Sequence, residues 1–344
     1  MYKPTQYFKA GMLALALTVL FVIAWECYWR SNGFAISYND DESLWAYARK
    51  QIYQSSPARP VIIGSSRIKF DLDLATWKSI SGEEPIQLSL EGTNPRPLLA
   101  DLARDTSFKG TVMIGVTEML FFQPDHNHFE IQANKRIEKY PHWSLSEQES
   151  FRINRVLESN LVFLQENTFS ANSLLKRLPI ESRPGVFVFP NFPLKFAYTQ
   201  LNRQTYLTDA LVADTAIQAG VKDVWKKLAF NPIPATKGDT LTALIQSVKA
   251  DIDKIKARGG DVVFIREPSG GPFREIEKST YPRELYWDRL LKETETIGIH
   301  FEDYPETSNY TCPEWSHLAP ADAKTYTQSL ISIMEQKTGW KIKK

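Results

Sequence analysis

The sequence predicts a three-layer α/β fold: a mostly parallel sheet between helices, interrupted by a largely helical insertion and preceded by one membrane-crossing helix. Three observations carry this. Five short apolar runs stand along the chain, and the first ends in Gly and Ser, the look of a buried parallel strand feeding a loop. Segments with helical periodicity lie between several of them, and strand–helix alternation implies a parallel sheet. A charge-free apolar run, residues 11–25, lies near the start of the chain.

That run comes first in order. With helical residues on either side it extends over 7–29, about 23 residues, enough at ~1.5 Å per residue to cross a hydrocarbon core of ~30 Å. Tyr7 and Phe8 at one end and Trp25, Tyr28 and Trp29 at the other suit the membrane interfaces, and Glu26 falls near the headgroups. A cleaved leader would need small residues at −3 and −1 of a cleavage site. Ala24-Trp25-Glu26 does not supply them, and Trp25 and Glu26 spoil a lipoprotein box before Cys27. Lys3 and Lys9 precede the span and only Arg30 follows closely, so the N-terminus is expected in the cytoplasm and the remainder across the membrane. The expected organisation is a cytoplasmic tip and anchor at 1–30, a lead-in at 31–57 with a short helix over 42–53, and an α/β domain at 58–344 with an insertion at about 120–240.

The five runs are residues 60–64, 86–90, 111–115, 261–265 and, more weakly, 298–301. Residues 96–104 read as a helix. Leu241, Leu244, Ile245, Val248, Ile252 and Ile255 mark one face of a longer helix that stops at Gly259-Gly260. Pro320 opens the last helix, striped by Tyr326, Leu330, Ile333 and Met334. About 140 residues separate the third and fourth runs, far more than a crossover needs. In this insertion Ser144 and Glu147 predict a capping box before a helix running through Phe163 and Leu164. Residues 178–193 read as an irregular loop, and 207–228 as helical.

Composition excludes several classes. Of 344 residues, 43% are apolar and 24% charged, so the chain is not disordered at large. A net charge of +1 gives no basic excess for neutralising phosphates, so nucleic acid is not an expected partner. The two cysteines, Cys27 and Cys312, make neither a disulfide framework nor a cysteine zinc site, and the five histidines show no metal-ligand spacing. No Walker or Gly-x-Gly-x-x-Gly sequence is present, and neither metal nor organic cofactor is expected.

Ligands of open α/β sheets bind beyond the carboxyl ends of the strands. The five runs lead, in order, into Gly64-Ser65-Ser66-Arg67, Glu91-Gly92-Thr93-Asn94, Gly115-Val116-Thr117-Glu118, Arg266-Glu267-Pro268-Ser269-Gly270-Gly271 and Pro313-Glu314-Trp315-Ser316-His317-Leu318. A serine, a glycine N–H, and a carboxylate three residues before a histidine can form a nucleophilic site. The histidine takes the serine proton, the carboxylate fixes and stabilises the imidazolium, and N–H groups hold the oxyanion. Asp303 rivals Glu314 as the histidine's partner. Arg67 and Arg266 are candidates for contacting an anionic or sugar substrate, with surface ion pairs as the plainer alternative. Trp143, Phe187, Phe189, Phe192 and Phe196 form either a core for the insertion or a sugar-stacking wall.

This order of pieces resembles the SGNH hydrolase superfamily, also called GDSL esterases. Its Gly-Asp-Ser block reads here Gly64-Ser65-Ser66, its second-block glycine is Gly92, and its Asp-x-x-His reads Glu314-x-x-His317. Its Gly-x-Asn reads Gly115-Val116-Thr117, so Thr117 stands where the family has asparagine. The resemblance covers roughly residues 58–118 and 240–338 and implies a flavodoxin-like sheet. It implies Ser66 as nucleophile, His317 as base and Glu314 as its partner, with Gly92, Thr117 and the Ser66 N–H as oxyanion donors. The Gly-Ser-Ser-Arg form on a single anchor looks most like exported SGNH-like proteins associated with O-acylation of envelope polymers. That implies a serine acyltransferase or esterase outside the cytoplasmic membrane, on its periplasmic or extracellular side. Its substrate would be an envelope polysaccharide or acylated donor, and a membrane-bound O-acyltransferase a partner. Thr117 and the long insertion leave open a non-catalytic scaffold in an envelope assembly complex.

Overall fold

The computed structural model describes residues 4–54, 59–178, 183, 185, 189–229 and 234–342. Its strands are β1 (Val61–Ile63), β2 (Ile86–Gln87), β3 (Thr111–Gly115), β4 (Ala197–Thr199), β5 (Thr205–Leu207), β6 (Asp261–Arg266) and β7 (Ile297–His300). Five form one sheet in the order β2-β1-β3-β6-β7, every pairing parallel. β2 is short by its ladder, yet Leu88 and Leu90 still donate to Ile62 and Gly64 (2.8 and 3.1 Å), so the paired edge covers the whole expected run.

Side chains alternate across a strand, and here both sides are buried. Val61, Ile63, Val112, Ile114, Val262 and Phe264 face one core, filled by the helices Arg96–Arg104, Gly238–Lys256 and Trp287–Thr294. Ile62, Met113, Val263, Ile265 and Ile299 face the other, filled by the helices Leu74–Ser81 and Pro320–Thr338. Burial of both faces explains why these strands read as continuous apolar runs.

The chain leaves β1 toward one edge and β3 toward the other. The crevice of a doubly wound sheet opens at that reversal of strand order. Glycines let the backbones meet there: a Cβ on Gly64 would lie 3.2 Å from the Gly115 Cα, and one on Gly115 would lie 2.6 Å from Glu267 Oε1.

The insertion differs from its expected form in two places. The capping box of Ser144 and Glu147 forms, but its helix is Leu145–Glu158, and Val162–Leu164 is a separate 3-10 turn. The Val162 and Phe163 N–H groups, free to continue a helix, donate instead to the Glu26 carboxylate, Val162 at 2.9 and 3.0 Å and Phe163 at 3.4 Å. Residues 207–228 are not helical throughout: β5 ends at Leu207, closes an antiparallel hairpin with β4, and the helices Asp209–Ala213 and Thr215–Ala229 come after it. Phe70, Leu207, Leu211 and Val221 form a third core, with Phe192, Phe196 and Trp225 against it, so the insertion lies over the helix that succeeds β1.

At the N-terminus Pro4–Ser31 is one helix. Over Thr5–Ser31 its mean hydropathy reaches 2.1, making it the one helix among the described residues long and apolar enough to cross a membrane.

Candidate active site

β1 delivers Gly64 and Ser65 to the crevice, and the helix Ser66–Asp71 starts at once. Ser65 is its N-cap, in extended backbone (φ −97°), but its side chain does not cap. Its hydroxyl lies 2.7 Å from the Thr117 hydroxyl, both buried. Ser66 is the first helical residue, half-buried, so its own N–H has no intrahelical carbonyl to meet. Gly92 sits in a turn at φ 61°, a left-handed conformation that favours glycine.

His317 comes from the loop before the last helix and is 1% exposed. Its ring stacks on Phe70, centroids 4.1 Å apart, with Trp225 at 6.1 Å. Nδ1 lies 2.8 Å from Glu314 Oε1, at ion-pair distance, although the ring N–H does not point straight at the oxygen. The same Oε1 accepts the backbone N–H of His317 at 2.6 Å, and Oε2 accepts the indole N–H of Trp225. Burial disfavours the Glu314 charge, but the neighbouring His317 and these hydrogen bonds outweigh it and hold the carboxyl below its ordinary range. Glu314 is therefore an anion held against the His317 ring. Among the described residues His317 Nε2 has no hydrogen-bond partner, Ser66 included.

The loop carrying this pair is under backbone tension. Trp315 has φ 78°, uncommon for a bulky residue. Its carbonyl accepts from Gly270 N–H at 2.9 Å, and its ring fills the space where a Cβ on Gly271 would sit. From the other side, Leu318 N–H donates to Asp71 Oδ1 at 2.8 Å. Asp71 is fully buried, and burial pushes its carboxyl well above the usual range.

Ser66, Arg67, Gly92, Thr117 and His317 all line one cavity of about 1110 Å³. Arg67 is buried, with Nη2 2.6 Å from Glu277 Oε1, its guanidinium over Phe273 and Nε 3.5 Å from the Ser316 hydroxyl. Its Nη1 is buried and has no hydrogen-bond partner among the described residues. Arg266 is not among the lining residues. It is sealed in the interior, bonded to Glu118 Oε1 (2.8 Å), Ser269 (3.0 Å) and Glu277. Asp303 does not compete for His317, because Arg283 holds both its oxygens.

Phe189, Phe192 and Phe196 line the cavity; the last two stack at 4.7 Å and pack against the third core, so for them wall and core coincide, while Phe189 is exposed. Trp143 packs on Phe151 instead, and Phe187 lies outside the described residues. Sequence reasoning misses Phe70, Asp71 and Trp225. Asp71, five residues after Ser66, lies within reach of a motif search; Trp225 gives no local signal, being 89 residues from the carboxylate it holds.

No protein-family model matches this chain, and no curated protein matches it. Its functional reading rests on the geometry of the site.

Proposed function

We propose that this chain is an exported, membrane-anchored, SGNH-like serine acyltransferase or esterase acting on an envelope glycan. One observation carries the reading: an ionised Glu314 lies behind His317, which lines the same cavity as Ser66 at the reversal of the sheet and whose Nε2 has no hydrogen-bond partner among the described residues. In the reaction, Ser66 Oγ attacks the ester carbonyl and its proton passes to His317 Nε2. The tetrahedral oxyanion takes N–H donors from Ser66 and Gly92. It collapses as His317 protonates the leaving oxygen, leaving an acyl-Ser66 ester. A sugar hydroxyl or water, deprotonated by His317, then attacks that ester and regenerates Ser66.

The cavity supports a large substrate. Its volume exceeds the ~300–1,000 Å³ typical of small-ligand sites, and aromatic side chains form part of its wall. A permanent anchor is supported by Glu26 and Trp29. Glu26 accepts N–H groups of the insertion, and Trp29 packs on Phe169 at 4.5 Å, contacts a removable leader has no use for. The N-terminus would face the cytoplasm and the domain the periplasmic or extracellular side, where a membrane-bound O-acyltransferase is the partner the resemblance suggests. A C-terminal alkaline-phosphatase fusion is expected to be active; an inactive one beside a fluorescent cytoplasmic fusion contradicts export.

The Ser65–Thr117 hydrogen bond favours a second reading, a scaffold without catalysis, since it occupies the hydroxyl that replaces the family's asparagine. Polymer acylation in strains carrying Ser66→Ala, His317→Ala and the double variant separates the two. Catalytic partners fail together and non-additively. Unchanged acylation in all three strains leaves only the scaffold.

A further inference from the structure

The insertion carries two unpartnered apolar faces beside the end of the N-terminal helix. On Leu145–Glu158, Ile153, Val156 and Leu157 share one face and are 63, 58 and 43% exposed. On and just after Ala171–Lys176, Leu174, Leu175 and Leu178 are 52, 63 and 50% exposed. The opposite side of the first helix is satisfied: Phe151 is buried, with Tyr47 at 5.2 Å. Contiguous apolar surface of this kind marks a contact with something apolar.

Its level in the structure identifies that contact. The loop between the two faces is tied to the last turns of the apolar helix. Glu26 takes the N–H groups of Val162 and Phe163, Arg30 Nη2 donates to the Asn160 carbonyl at 2.9 Å, and Phe169 packs on Trp29. Trp25, Tyr28 and Trp29 are the aromatics that belong at a membrane interface. A segment clamped beside residues 26–30 is held at headgroup depth, and both apolar faces lie within about ten residues of it along the chain. We infer that these two faces form a collar that rests in the surface of the bilayer crossed by the helix, as interfacial helices do. The inference rests on the anchor reading above. Cavity-lining residues Gln165, Asn167 and Thr168 lie between the two faces, so the collar holds the cavity close to the lipid surface.

The test uses the full chain with Cys27→Ser, labelled at one introduced cysteine with an environment-sensitive fluorophore. It is reconstituted in phosphatidylcholine/phosphatidylglycerol nanodiscs with bromine on the acyl chains. Leu17→Cys reports the span, Ile153→Cys and Leu175→Cys the collar, and Leu285→Cys, exposed on the turn Arg283–Leu285, serves as the water reference. The expected result is fluorescence loss at Leu17, Ile153 and Leu175 and none at Leu285, with aqueous iodide quenching only the last. Quenching at Leu17 while both collar positions respond only to iodide overturns the collar and leaves the anchor standing. No lipid quenching even at Leu17 overturns the anchor and the collar together.

Discussion

The hydroxyls of Ser65 and Thr117 lie 2.7 Å apart, one donating to the other between the loops that leave the paired strands β1 and β3. Thr117 is thus a brace between the two loops of the crevice, and the proposed oxyanion donors are the N–H groups of Ser66 and Gly92. Thr117→Val is expected to lower turnover less than about tenfold, against the ~10²–10³ that loss of an oxyanion donor costs. It should cost about 1 kcal/mol of stability by orphaning Ser65. Steady-state rates and a denaturant midpoint measure both, and a thousandfold loss of turnover would show that the Thr117 hydroxyl holds the oxyanion itself.

Trp225 holds the Glu314 oxygen that His317 does not engage, and its indole N–H helps keep that carboxyl ionised. Trp225→Phe keeps an aromatic side chain, though a smaller one, and removes the donor, worth about 1.5–3 kcal/mol to a charged acceptor. The Glu314 pKa should rise, so the acid limb of the pH–rate profile should move to higher pH. Glu314→Gln should remove that shift along with most of the activity. An acid limb unmoved in Trp225→Phe would disconnect Glu314 from the base.

Glu267 sits beneath the site against Gly115, fully buried, and neither carboxyl oxygen has a hydrogen-bond partner among the described residues. Burial raises its pKa to about 7, against the opposing pull of its own backbone N–H dipole and of the Arg266 and Arg67 charges. A raised folded pKa means the native state binds the proton more tightly than the unfolded chain. The stabilisation is full below the ordinary value of 4.5 and is lost as pH rises through about 7. The loss is on the order of 3 kcal/mol. Glu267→Gln, which cannot ionise, should match the parent near pH 5 and melt at a higher temperature than the parent near pH 8. Equal melting temperatures at both pH values would refute a neutral Glu267.

Much of the sheet is legible in the sequence because its strands are buried on both faces and so stand out as apolar runs; 60–64 and 261–265 fall on β1 and β6 within a residue or two. The weak run 298–301 falls on β7 one residue late. The hairpin β4–β5 is hidden because each strand is three residues long, too short for alternation to register. The helix after Ser144 reads too long because its true end is set by Glu26, 136 residues away. At the site, Ser66, Gly92, Thr117 and His317 can be placed because each succeeds a strand or precedes a helix. Arg266 closes a strand too, but the acids that draw it inward, Glu118 and Glu277, come from separate parts of the chain and no local pattern announces them.

In the proposed mechanism His317 activates Ser66. A fluorophosphonate probe reacts with an activated serine hydroxyl and forms a stable adduct, so labelling of the full-length protein, with peptide mass spectrometry to locate the adduct, tests it most directly. An adduct on Ser66 is expected, lost in Ser66→Ala, nearly lost in His317→Ala and retained in Thr117→Val. Folded, membrane-bound protein that stays unlabelled at Ser66, or labels equally with and without His317, would contradict it.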